Sequence, residues 1–106
     1  MKNERKSGAF VPANYPALQD SLPGYLHEDF QEMYSTVAGA VKAFLSEAGE
    51  EEIQAVREEW QGLRKQFARR PLKELQAALA RLGIAWRPAS EKELRGVDEI
   101  LTRGKA

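Results

Sequence analysis

A chain of 106 residues with 16 basic and 16 acidic side chains, one histidine and no cysteine leaves room for a single domain and excludes disulfides, thiolate metal sites and cysteine nucleophiles. The lack of thiols suits a reducing cytosol. "MKNERKSGAF" has no apolar core of the kind a secretory signal carries, and no run approaches the ~20 apolar residues of a membrane span, so a cytoplasmic protein without membrane contact is expected.

Residues 1–9 are polar and basic, and a disordered tail is expected there. "NYPALQDSLPG" predicts a short helix, with Pro16 at its first position, Leu18 and Leu22 on one edge, and Pro23-Gly24 as the stop. "STVAGAVKAFLSEAGE" predicts an amphipathic helix capped by Ser35 or Thr36. Val37, Ala40, Val41, Phe44 and Leu45 lie inward, and Gly49 is expected to end it with a positive φ. "EEEIQAVREEWQGLRKQFARR" is the longest periodic segment. Ile53, Val56, Trp60, Leu63 and Phe67 make one apolar stripe, with acids in the first turn and bases in the last, as the helix dipole favours. Pro71 opens a further helix with Leu72, Leu75, Leu79 and Leu82 inward and Gly83 closing it. "IAWRP" is an extended connector in which Trp86 is read as a plug between helices rather than a partner anchor. "SEKE" then forms a capping box from Ser90 and Glu93, ahead of a helix facing Leu94, Val97, Ile100 and Leu101 to the core. The reading is an all-α fold, a single small bundle of four to five helices over residues 10–102, with 103–106 frayed.

Little in the chain points to chemistry of its own. The serines at positions 7, 21, 35, 46 and 90 have no nucleophile-elbow context, so no catalytic residue is assigned and the protein is not read as an enzyme. His27 beside Glu28, Asp29 and Glu32 offers one nitrogen among oxygens, short of a zinc ligand set. Neither a GxGxxG nor a GxxxxGK[ST] phosphate cradle is present, and no cofactor is expected. The zero net charge hides a division: residues 20–59 hold ten acids against Lys42 and Arg57, a net −8, while residues 60–106 net +6. The basic C-terminal helices leave a small nucleic-acid-binding or regulatory module as the alternative function. Their arginines are spread, however, and the acidic half repels phosphates, so no direct nucleic-acid contact is the preferred expectation.

The order "YPALQDSLPGYLHEDF", "VAGAVKAFL", a long acidic-to-basic helix, and "LKELQAALARLG" resembles the small α-helical immunity proteins of contact-dependent growth inhibition systems. The residues that carry the resemblance are Tyr15, Pro16, Leu18, Gly24, Tyr25, His27, Glu28 and Asp29. Leu26 stands where that family often has an aromatic, and the likeness spans roughly residues 14–102. The resemblance implies a cytosolic protein without catalysis, which binds and neutralises the C-terminal toxin domain of a large exported protein, commonly a nuclease, as a 1:1 heterodimer. It also implies that a motif shared among proteins with different toxins serves folding. Tyr25 is therefore expected to pack into the core, and Asp29 to cap a turn or accept a hydrogen bond from His27 or Tyr34.

The charge pattern agrees with what the resemblance implies. A nuclease cleft is basic because it holds phosphates, and carboxylates can take their place. Glu28, Asp29, Glu32, Glu47, Glu51, Glu58 and Glu59 are the candidate toxin-binding residues.

Overall fold

The computed structural model describes residues 9–103, so the expected disorder of residues 1–8 and fraying of 104–106 lie outside the described residues, while Arg103, expected to fray, is the last residue of the final helix. Six α-helices follow in order: α1 (Pro16–Ser21), α2 (Phe30–Tyr34), α3 (Val37–Glu47), α4 (Glu50–Gln66), α5 (Leu72–Arg81) and α6 (Glu91–Arg103). Short 3-10 turns at Pro12–Asn14 and Leu22–Gly24 flank α1. No strand occurs among the described residues, and the all-α bundle holds. It has one helix more than the four or five expected. The addition is α2, whose five residues are too few to show a period.

The helices form where burial and capping coincide. The α4 stripe of Ile53, Val56, Trp60, Leu63 and Phe67 is buried throughout, and α1 and α6 pack on it. The Thr36 hydroxyl accepts from the Gly39 amide at 2.9 Å, capping α3 as expected. Gly49, by contrast, has φ −77° and is the N-cap of α4, so the predicted positive-φ ending of α3 is wrong. Helix α3 ends instead where Ala48 becomes extended. Gly83 does close α5, with φ 86°. Its amide donates to Ala80 and the Ile84 amide to Leu79, both at 3.0 Å, which satisfies the last carbonyls of α5 through a left-handed residue. The Ser90 hydroxyl accepts from the Glu93 amide at 3.3 Å, but the Glu93 carboxylate reaches the Ala89 amide rather than that of Ser90.

The core is aromatic between α4 and the 84–89 connector. Trp86 is buried and stacks on Trp60 with ring centroids 6.4 Å apart, as the plug reading requires. One polar cluster locks α6 to α4. The Asp98 carboxylate accepts from Trp60 Nε1 at 2.7 Å and from Arg64 Nε and one terminal nitrogen at 3.0 Å each. Arg64 also reaches Glu91 at 2.7 Å. The pairing with Asp98 outweighs the cost of burial and raises the Arg64 pKa, so the guanidinium stays charged. This pairing joins the basic end of α4 to acids of α6 within residues 60–106, so it does not account for the division between the acidic and basic halves.

Candidate interaction surface

The 24–30 motif is a loop held at its start and at Leu26. Its start follows the 3-10 turn, with the Tyr25 and Leu26 amides bonded to the Leu22 carbonyl at 2.9 and 2.7 Å. Leu26 is fully buried, and its carbonyl accepts from the Ala85 amide at 2.7 Å. That bond ties the acidic loop to the connector ahead of α6. An aliphatic residue fits this pocket, which accounts physically for leucine at the position.

Tyr25 is half-buried rather than a core residue. Its ring lies edge-on to Phe44 at 5.7 Å and tilted to Tyr34 at 6.1 Å, while its hydroxyl donates to Glu47 at 2.6 Å. Phe44 already fills the core beneath it. The hydrogen bond to Glu47, aided by desolvation and the nearby negative charge, pushes the phenol up to about 12. His27 and Asp29 interact in the reverse sense to that expected: the Asp29 amide donates to His27 Nδ1 at 3.0 Å. Asp29 is the N-cap of α2, but its side chain makes no capping bond and its carboxylate stays exposed. Of the other motif residues, Tyr15 is buried and donates to Gln66 Oε1. Gln66 in turn donates to the Ala9 carbonyl at 2.9 Å, so Ala9 is held, contrary to its assignment to the tail. Pro16 opens α1, and Gly24 ends the second 3-10 turn.

The seven candidate acids divide by what they already hold. Glu59 is half-buried and accepts from the Leu18 amide at 2.9 Å. Helix α1 has no side-chain cap of its own, and this carboxylate from α4 serves one of its orphan amides. Glu47 holds the Tyr25 hydroxyl, and Glu58 accepts from Gln54 at 3.0 Å. Glu52, outside the candidate set, accepts from the buried Ser21 hydroxyl at 2.6 Å. Glu28, Asp29, Glu32 and Glu51 are exposed, and their carboxylates have no hydrogen-bond or ion-pair partner among the described residues. Three of these four lie within five residues of one another, in the motif loop and α2. Among the described residues, no group of three or more His, Asp and Glu side chains is placed to hold a metal ion, and no helix is long and apolar enough to cross a membrane.

Sequence reasoning missed the turn after α2. Ser35 has φ 69° and ψ −45°, and the Thr36 amide bonds to the Tyr34 carbonyl at 2.7 Å: a γ-turn of the strained, positive-φ form. The Tyr34 carbonyl then lies against Gly39, where an added Cβ would collide with it. The glycine three residues after the Thr36 cap was the only sequence signal. Beside this turn a cavity of about 480 Å3 opens between α2, the start of α3, the connector and α6. No family model, no curated protein and no solved structure matches the chain.

Proposed function

We propose that the protein is an immunity protein: it binds the C-terminal toxin domain of a contact-dependent growth inhibition system and neutralises it by covering a basic, phosphate-holding cleft. The observation that carries this reading is the set of exposed, unpartnered carboxylates at Glu28 and Asp29, in the motif on which the family resemblance rests, and at Glu32 just after it. Carboxylates that stabilise nothing within their own chain are free to meet cations elsewhere. Their mutual repulsion in the free protein is relieved when a basic surface arrives. Glu51 extends the negative surface on α4, whereas Glu47 and Glu59 act mainly within the fold.

The direct test is co-expression with the toxin domain encoded next to the chain. Cells survive and the two polypeptides co-purify 1:1 on this reading. Growth arrest despite a folded, soluble chain overturns it. The nucleic-acid alternative is tested in the same preparation by a mobility shift of duplex DNA at physiological salt, which the proposal expects to be absent.

A further inference from the structure

The free carboxylates do not stand on a flat surface. The 27–32 stretch is a partition between two open clefts: His27, Glu28 and Asp29 line one, Phe30 and Gln31 line the other, and Arg87 borders both. The cleft on the Phe30 side is the apolar one. Phe30, Val37, Trp86, Val97 and Ile100 contribute to its walls, and Gly96 of α6 opens one side of it. Two charged groups, the exposed Arg87 and Glu93, stand at its edge, and part of their hydrogen-bonding capacity is used within the chain. The Arg87 guanidinium donates to the Ile84 and Trp86 carbonyls at 2.8 and 3.2 Å, and the Glu93 carboxylate accepts from the Ala89 amide at 3.1 Å. What the cleft leaves open is apolar surface inside, the free carboxylates of the partition outside, and the remaining donors of Arg87, which has no ion pair among the described residues. Gln31, on the same short helix as Glu32, is exposed and lines the cleft, so that helix can be reached from solvent at its edge.

Gly96 adds an independent point. It sits in the middle of α6, where glycine disfavours a helix by about 1 kcal/mol relative to alanine. Nothing lies within 4 Å of the position its Cβ would occupy, so no contact inside the protein requires it. The space over Gly96 is open for a group from outside. The volume of about 480 Å3 lies within the range of sites that enclose small ligands or large side chains.

We propose that this cleft is the anchor point of the toxin domain: it receives one large apolar side chain of the toxin surface, and Glu28, Asp29 and Glu32 engage lysines or arginines that flank that side chain. Charge complementarity selects this occupant, because a purely apolar ligand leaves three neighbouring carboxylates unanswered. The inference rests on the proposed function and adds to it the location of the contact and the chemistry of the partner.

The test uses the purified full chain and the neighbouring toxin domain. Gly96→Trp fills the cleft from a position with open space, and Gln31→Lys places a charge in its lining. Glu28→Gln, Asp29→Asn and Glu32→Gln, combined, remove the flanking charges, and Lys73→Ala on the exposed side of α5 is the control. With melting temperatures and helix content preserved, Gly96→Trp weakens the complex roughly 30-fold or more by calorimetry. The triple variant slows association on the order of tenfold, and Lys73→Ala changes neither. A retained complex that is indifferent to Gly96→Trp and Gln31→Lys overturns the anchor while leaving the immunity function standing. Absence of any complex with the wild-type chain removes both. A free chain that dimerises through Gly96 in sedimentation, with unchanged toxin affinity, assigns the cleft to a second copy instead and overturns the inference. Where Gly96→Trp does not fold, Gln31→Lys decides, because Gln31 is solvent-exposed and its substitution leaves the core untouched.

Discussion

Asp98→Ala tests whether the polar lock between α4 and α6 holds the bundle together. The substitution strands the Trp60 indole N–H, which belongs to a residue only 2% exposed and donates to Asp98 at 2.7 Å. A buried donor left without a partner costs about 1–3 kcal/mol. Arg64 loses its two-point contact with Asp98 but keeps Glu91 at 2.7 Å. The Asp98 side chain is 34% exposed, so solvent already screens that pair and its loss adds only about 1 kcal/mol. The sum, about 2–4 kcal/mol, is a large share of the 5–15 kcal/mol that holds a domain together. For a chain of this size it lowers the melting temperature by roughly 10–25 °C. Asp98→Asn keeps an oxygen for the indole and loses the charge opposite Arg64, so it falls between Asp98→Ala and wild type. Thermal and urea unfolding followed by circular dichroism measure both. An Asp98→Ala protein within ~0.5 kcal/mol of wild type, the range of an ordinary surface change, refutes the lock.

Gly39→Ala sets a favourable helix propensity of about 1 kcal/mol against a collision with the Tyr34 carbonyl, and overpacking of this kind costs about 1–3 kcal/mol. Net destabilisation by urea unfolding is expected, and a gain in stability shows that the γ-turn opens freely. Tyr25 has its folded pKa raised from 10.0 to about 12, so the Glu47 bond contributes below pH 10 and is lost as pH rises through about 12. Ultraviolet titration of the phenols finds Tyr15 delayed by burial and Tyr25 delayed by Glu47, and Glu47→Gln brings only the Tyr25 transition back toward 10; a wild-type Tyr25 that already titrates near 10 contradicts the bond. Glu59→Gln keeps an acceptor for the Leu18 amide, whereas Glu59→Ala removes it, costs about 1 kcal/mol and loosens α1 in hydrogen exchange; equal stability of the two denies the cross-helix cap. Reversing Glu28, Asp29 and Glu32 to lysine reduces the toxin association rate and flattens its dependence on salt, and an unchanged rate and salt slope remove the electrostatic part of the proposal.

The long periodic helices were legible because one apolar stripe decides their burial. Every residue of the Ile53 to Phe67 stripe is buried, and both tryptophans lie where their neighbours in the chain put them. What escaped was set by partners remote in sequence. Glu59 reads as a surface acid within its own helix, and only the approach of α1 makes it a cap. Gly49 carries the signature of a helix end and also precedes a helix rich in acids, and the second role won because Ala48 ends α3 in extended backbone without a left-handed residue. Helix α2 and the Ser35 turn follow from closing a short loop between the Leu26 clamp and the Thr36 cap, a constraint no local propensity records. The acidic character of residues 20–59 was plain, but it did not reveal which carboxylates serve the fold and which remain free.

The most direct test of the account is hydrogen–deuterium exchange of the chain alone and in complex with the neighbouring toxin domain. Amides of residues 27–38 and of α6 around Gly96 should gain protection in the complex while those of α5 exchange as before. Protection confined to α5 and the basic end of α4, with residues 27–38 unchanged, contradicts the claim that free carboxylates beside an apolar cleft form the toxin-binding surface.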